Sequence, residues 1–180
     1  MISPLLPERS QPPVPPGRWR EMTETASFIK NGAKTLGGLP LILVDGSNVA
    51  HSGNHEPKIS HLHAVLEALS KFPVRILTMV DASLRHKIDN PVGLETLIET
   101  GRVVQAPAGR TVDEFLVQLA RRKKGSGEDV YILTNDRFPD KHLGESRCRI
   151  AFLIVTVGKG EEVLFSPVIE YIVRSAVDSG

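Results

Sequence analysis

Four aspartates stand where apolar runs give way to polar turns. Asp45 follows "LILV", Asp81 follows "RILTMV", Asp113 lies near the start of "TVDEFLVQLA", and Asp136 ends "YILTND". Carboxylates gathered at one place repel unless protons or a cation neutralise them. Their oxygen-only donor set suits a hard divalent ion, Mg2+ or Mn2+. Such an ion can activate water and shield charge on a phosphoryl group. Asp140 follows Asp136 by four residues, so a helical turn there would set the two side by side. Each acid also has a structural reading of its own. Asp45 can cap its turn through an Asx hydrogen bond. Thr111 and Glu114 spell a T-x-x-E capping box around Asp113, and acids favour a helix N-terminus in any case. Asp136 can serve as an N-cap, and Asp81 is the weakest candidate of the set. What separates them from unrelated caps is that distant segments would deliver them to one place.

That delivery needs a particular scaffold. "LPLILVD" (39–45) is a wholly apolar strand, of the kind buried on both faces of a parallel sheet. Ile59, Leu62, Val65, Leu66 and Leu69 recur at helical spacing and predict a helix over 59–72, stopped by Pro73. A second strand is expected over 74–81, then a helix over 91–101 with Pro91 in its first turn and Gly101 at its stop. A strand over 102–107 and a helix over 111–124 follow, the helix turning Phe115, Leu116 and Leu119 inward. Strands over 129–136 and 149–157 and a closing helix over 167–177 complete the pattern. Alternating strands and helices predict an α/β fold: a three-layer α/β/α sandwich around a mainly parallel sheet. In such sheets ligands bind at the carboxyl ends of the strands, which is where these acids fall.

Residues 1–36 are rich in proline and lack apolar periodicity, as in "PPVPP", so a flexible tail is expected there and one folded domain over 37–180. A docking peptide using "PPVPP" or Trp19 is the other reading of that tail. The net charge of +1 does not announce a nucleic-acid binder, though local basic clusters remain. Cys148 is the single cysteine, so no internal disulfide forms, which fits a reducing compartment. No run reaches transmembrane length, and Pro4, Pro7 and Glu8 interrupt any leader-like core, so a cytoplasmic protein away from membranes is expected. No P-loop or glycine-rich dinucleotide fingerprint is present.

"VDGSNVAHSGN" (44–54), "VDEFLVQLA" (112–120) and "ILTNDRFPD" (132–140), in that order and spacing, resemble the NYN branch of the PIN-like ribonucleases, and within it the Regnase-type (Zc3h12a-like) domain. The resemblance covers roughly residues 40–165. It implies a PIN-like sandwich and a metal-dependent endoribonuclease. The family's metal-holding acids fall on Asp45, Asp113 and Asp136, its orienting asparagine on Asn48, and its further acid on Asp140. Ser47 keeps the turn beside them small and is grouped with Asn48 as substrate-binding. The family often carries two adjacent acids at the helix start; here the first of that pair is Val112, and Glu114 is rotated about 100° from the matched register. No zinc-finger cluster of Cys and His accompanies the domain. PIN-like domains often dimerise, so a homodimer is compatible with the resemblance.

Among basic residues, Arg85, Lys87, Arg110, Arg137 and Lys141 should flank the acids and meet phosphates, making binding salt-dependent. The "RRKK" of 121–124 has a sufficient reason in the helix C-terminus it occupies. His51 and His55 are near the acids in sequence, as substrate contacts or as plain loop residues. The resemblance implies an RNA substrate, expected to be single-stranded or looped, and with few aromatics for base stacking strong sequence readout by this domain is not expected. Two other functions compete. One is a non-catalytic RNA-binding or scaffold module with a weakened acid set, which Val112 favours. The other is a metal phosphohydrolase for small nucleotides.

Overall fold

The computed structural model describes residues 38–53, 56–106, 111–137, 149–157 and 160–178. The expected tail (1–36), His55, Arg110, Asp140 and Lys141 lie outside the described residues. The strands are β1 (Leu41–Asp45), β2 (Arg75–Val80), β3 (Val104–Gln105), β4 (Val130–Leu133), β5 (Arg149–Val157) and β6 (Gly160–Ser166). The helices are α1 (Gly46–Ala50), α2 (Ile59–Ser70), α3 (Pro91–Glu99), α4 (Val112–Gly125) and α5 (Ile169–Asp178).

The strands form one sheet in the order β3-β2-β1-β4-β5-β6. The pairs from β3 across to β5 are parallel, and only β5–β6 is antiparallel. β1 lies inside the sheet and all five of its residues are buried. Its alternation divides the core. Ile42 and Val44 join side chains of α1, α2, α3 and α5 on one face. Leu41 and Leu43 join Val112, Leu116, Leu119 and Ala120 of α4 on the other. The expected three-layer α/β/α sandwich is the observed fold.

Several elements differ from expectation for local reasons. The polar turn after β1 is a short helix, α1. The expected strand over 102–107 shrinks to Val104–Gln105. There the amides of Arg102 and Val103 still bond the Leu97 carbonyl, so the chain leaves α3 late. β4 stops at Leu133, three residues before Asp136. β6 was not expected at all. Its residues alternate between exposed and half-buried, a pattern that makes sense only beside β5.

Register makes β5 protrude. Arg149 and Ile150 sit opposite Ile132 and Leu133 at the end of β4, so the rest of β5 runs past it with β6 alongside. Leu153 faces Leu164 across this hairpin, each 57% exposed, on the sheet face that α4 covers only farther in.

Gly46 is fixed by contact. A Cβ there would meet Val80 Cγ1 at 2.7 Å and the Met79 carbonyl oxygen at 2.8 Å. α1 therefore lies directly against β2, and no larger residue fits without moving backbone. Gly46→Ala should cost about 1–3 kcal/mol of stability, as overpacking does. Urea unfolding measures it, and an unchanged midpoint would mean that the contact yields freely.

Candidate active site

The chain builds β1, β2 and β3 outward in one direction, then returns across the other face through α4 to place β4 on the opposite side of β1. The strand order therefore reverses between β1 and β4. In parallel α/β sheets the crevice outside the carboxyl ends at such a switch is the usual ligand site. Asp45 ends β1 at this point, and Thr134, Asn135 and Asp136 leave β4 beside it.

Asp45 is 3% exposed. Its Oδ1 accepts the Asn48 amide at 3.0 Å, the N-cap bond of α1. Its Oδ2 accepts the Thr134 hydroxyl at 3.2 Å. Thr134 Oγ1 in turn accepts the Asp136 amide at 3.2 Å. The hydroxyl has one proton, and its partners fix where that proton goes: an amide occupies the oxygen, so the hydrogen is left for Asp45. Burial pushes the Asp45 carboxyl up to about 7 from an ordinary 3.8, and the nearby Asp113 and Asp81 carboxylates add to the rise. The Asn48 amide and the Thr134 hydroxyl pull the other way.

Asp113 sits half-buried in the first turn of α4. Burial raises its carboxyl, and the charges of Asp136, Asp81 and Glu114 raise it further. Thr111 caps this helix by accepting the Glu114 amide, the forward half of the expected capping box. Asp81 holds the helix end from the sheet side: its Oδ1 accepts the Val112 amide at 3.2 Å. Val112 itself is 1% exposed and packs among Leu41, Leu43, Leu77 and Leu116. Its side chain belongs to the core beneath the rim, and an acid there would be buried in apolar surroundings. Glu114 is exposed.

Other expected contact residues also make bonds within the protein. Ser47 Oγ accepts the Asp81 amide at 2.9 Å, joining the loops after β1 and β2. Asn48 Oδ1 accepts the Asn135 amide at 2.9 Å, joining the loops after β1 and β4. Both side chains brace the rim. Arg85 is paired with Glu95 at 2.7 Å in a partly exposed ion pair. Lys87 and Arg137 are exposed. His51 is exposed, and its Nδ1 donates to the Ser47 carbonyl at 2.8 Å. Thr134 and Asn135 were missed as site residues. The signal was their place directly before Asp136, where a hydroxyl and a carboxamide leave an aliphatic strand.

Asp45, Asp81, Asp113 and Asp136 thus lie on one rim, where Asp113 and Asp81 act on Asp45, and Asp136 and Asp81 act on Asp113. In donor chemistry the rim fits a hard cation: every carboxylate donor is oxygen, and a positive ion would relieve the repulsion that adds to burial in raising Asp45 and Asp113. The rim is not closed into a cage. Among the described residues no group of three or more His, Cys, Asp or Glu is placed to hold a metal ion. The two oxygens of Asp45 are turned to Asn48 and Thr134, while Asp136 stays exposed and is repelled by Asp113.

Residues 38–151 match the model of the Zc3h12a-like Ribonuclease NYN domain family. No curated protein matches the chain. No helix among the described residues is long and apolar enough to cross a membrane.

A carboxyl raised in the folded state has a definite linkage sign. The unfolded chain ionises near 3.8 and the folded chain near 7, so between these values the folded state binds the extra proton. Stability from Asp45 is therefore present at low pH and falls as pH rises through that window. The loss amounts to about 4 kcal/mol once both states are ionised. Asp45→Asn should be more stable than wild type at pH 8 in EDTA and should lack most of this decline. Chemical denaturation across the window checks it, and parallel pH profiles for the two proteins would refute the assignment.

Proposed function

The chain belongs to the Zc3h12a-like ribonuclease NYN family, and from that membership we propose that it is a metal-dependent endoribonuclease. RNA is the substrate that a ribonuclease domain implies, and single-stranded or looped segments are the form we propose. The observation that carries the reading is the gathering of Asp45, Asp113 and Asp136 at the β1/β4 switch, from segments far apart in the chain.

In this reading Asp45, Asp113 and Asp136 hold Mg2+ or Mn2+, with Asp140 as a further acid. When bound, the ion supplies an activated water and neutralises charge that builds on the phosphodiester. The protein's own part is to hold the acids ready. Asn48 and Thr134 keep the Asp45 carboxylate from rotating. Asp81 anchors the helix that carries Asp113. Lys87 and Arg137, both exposed, would meet phosphates flanking the scissile bond. The low-dielectric setting of Asp45 strengthens its attraction for a cation.

A second reading, a non-catalytic RNA-binding module, is favoured by one observation: the described acids do not close around an ion. Val112 no longer supports it, because that side chain faces the core.

Purified protein should cut a single-stranded oligoribonucleotide when Mn2+ or Mg2+ is added and stop with EDTA. Asp45→Asn and Asp136→Asn should each lower the rate by about 100-fold or more while RNA binding persists. Binding without cleavage under either ion would establish the second reading. Hydrolysis of mononucleotides alone would point to a small-nucleotide phosphohydrolase.

A further inference from the structure

β4 ends at Leu133 while β5 continues, and a side chain makes the join. Asn135 Nδ2 donates to the Phe152 carbonyl at 2.9 Å, and the Phe152 amide donates to Asn135 Oδ1 at 2.9 Å. A carboxamide offers a donor and an acceptor side by side, as a peptide group does. The Asn135 side chain thus stands in for one more rung of the β4–β5 ladder. Its main-chain amide meanwhile donates to Asn48 Oδ1 at 2.9 Å, and the Asn48 amide donates to Asp45 Oδ1. The next amide, that of Asp136, donates to Thr134 Oγ1.

On the reading of the rim as an active site, we propose that Asn135 is its positioning residue. By clamping the 134–136 turn to β5, it sets where Asn48 holds Asp45 and where the Asp136 carboxylate leaves the chain. Asn135 is exposed, yet both of its amide atoms are committed to backbone, so the side chain is held in one orientation at an entropic cost. That commitment has a purpose at a rim of mutually repelling acids, which would otherwise spread. Alanine at this position removes the rung. Aspartate keeps an acceptor for the Phe152 amide but sets a negative oxygen against the Phe152 carbonyl.

The test uses the full chain as wild type, Asn135→Ala and Asn135→Asp. One arm follows Mn2+-dependent cleavage of a single-stranded oligoribonucleotide. The other follows amide exchange over 45–48, 149–153 and 59–70 in metal-free protein. In both variants kcat should fall by about 10–100-fold with KM changed by less than about threefold. Exchange should rise by about tenfold over 45–48 and 149–153 and stay unchanged over 59–70, which shows that the fold persists. Wild-type kcat in the variants, or unchanged exchange at 45–48, overturns the proposal. A loss confined to KM also overturns it, since Asn135 would then touch substrate. If the wild type cuts no RNA, the ribonuclease reading fails, and the exchange arm alone decides whether Asn135 positions the rim.

Discussion

A carboxylate at the end of a strand buried on both faces is the constraint around which the rest of this molecule is arranged. β1 lies in the middle of the sheet with helices above and below, so its last side chain emerges where little water reaches it. Leaving Asp45 there is costly, and the neighbouring structure answers the cost atom by atom. α1 begins at once, so that the Asn48 amide meets one oxygen. Thr134 arrives from β4 to meet the other. α1 can begin so soon only because residue 46 has no Cβ to strike β2. The loops after β1, β2 and β4 are then tied to one another through Ser47, Asn48 and Asp81. A local electrostatic problem is solved by residues spread over about half of the chain.

The acids at this rim are arranged against stability. Burial and mutual repulsion both raise Asp45 and Asp113, and no lysine or arginine is paired with either of them among the ion pairs of the described residues. Salt bridges occur elsewhere. Arg75 and Lys123 share Glu128 near the opposite end of the sheet, and there the carboxyl is lowered despite partial burial. The same chain can therefore neutralise a carboxylate with its own cations, and does so away from the rim. Sites that keep unrelieved like charges in a cleft are candidates for binding an external partner of opposite charge.

Much of this architecture is legible in the sequence. Aliphatic runs long enough for strands, helical spacing in "ISHLHAVLEALS", and punctuation by Pro91 and Gly101 all match the structure. Asp45, Asp113 and Asp136 reach one rim because their places after strands or at a helix start are topological facts. Less legible were properties set by pairing partners. Strand β6 has glutamates at two of its positions and reads as polar, until Glu161 is seen accepting from Ser60 and facing His61. Ser47 and Asn48 read in the sequence as ligand-facing polar residues, and their part in bracing the rim shows only in the structure. Val112 stands where the resemblance read from the sequence leads one to expect an acid. Only the helix phase shows that its side chain points downward into the α4-side core.

The strand order also bears on how the domain is assembled during synthesis. The inner strand β1 emerges first, and each later strand joins an outer side of what is already present. Asp45 must therefore wait for Thr134, which leaves the ribosome nearly ninety residues later, before its second oxygen is satisfied. The larger core layer waits longer still. Ile169 and Ile172 of α5 are buried against the same cluster as Ile42 and Val44, although the family match ends at residue 151. A chain that stopped just after the acids of the rim would lack Ile169 and Ile172 and leave this core layer uncovered on their side, so α5 completes a core that the rim itself does not need to reach.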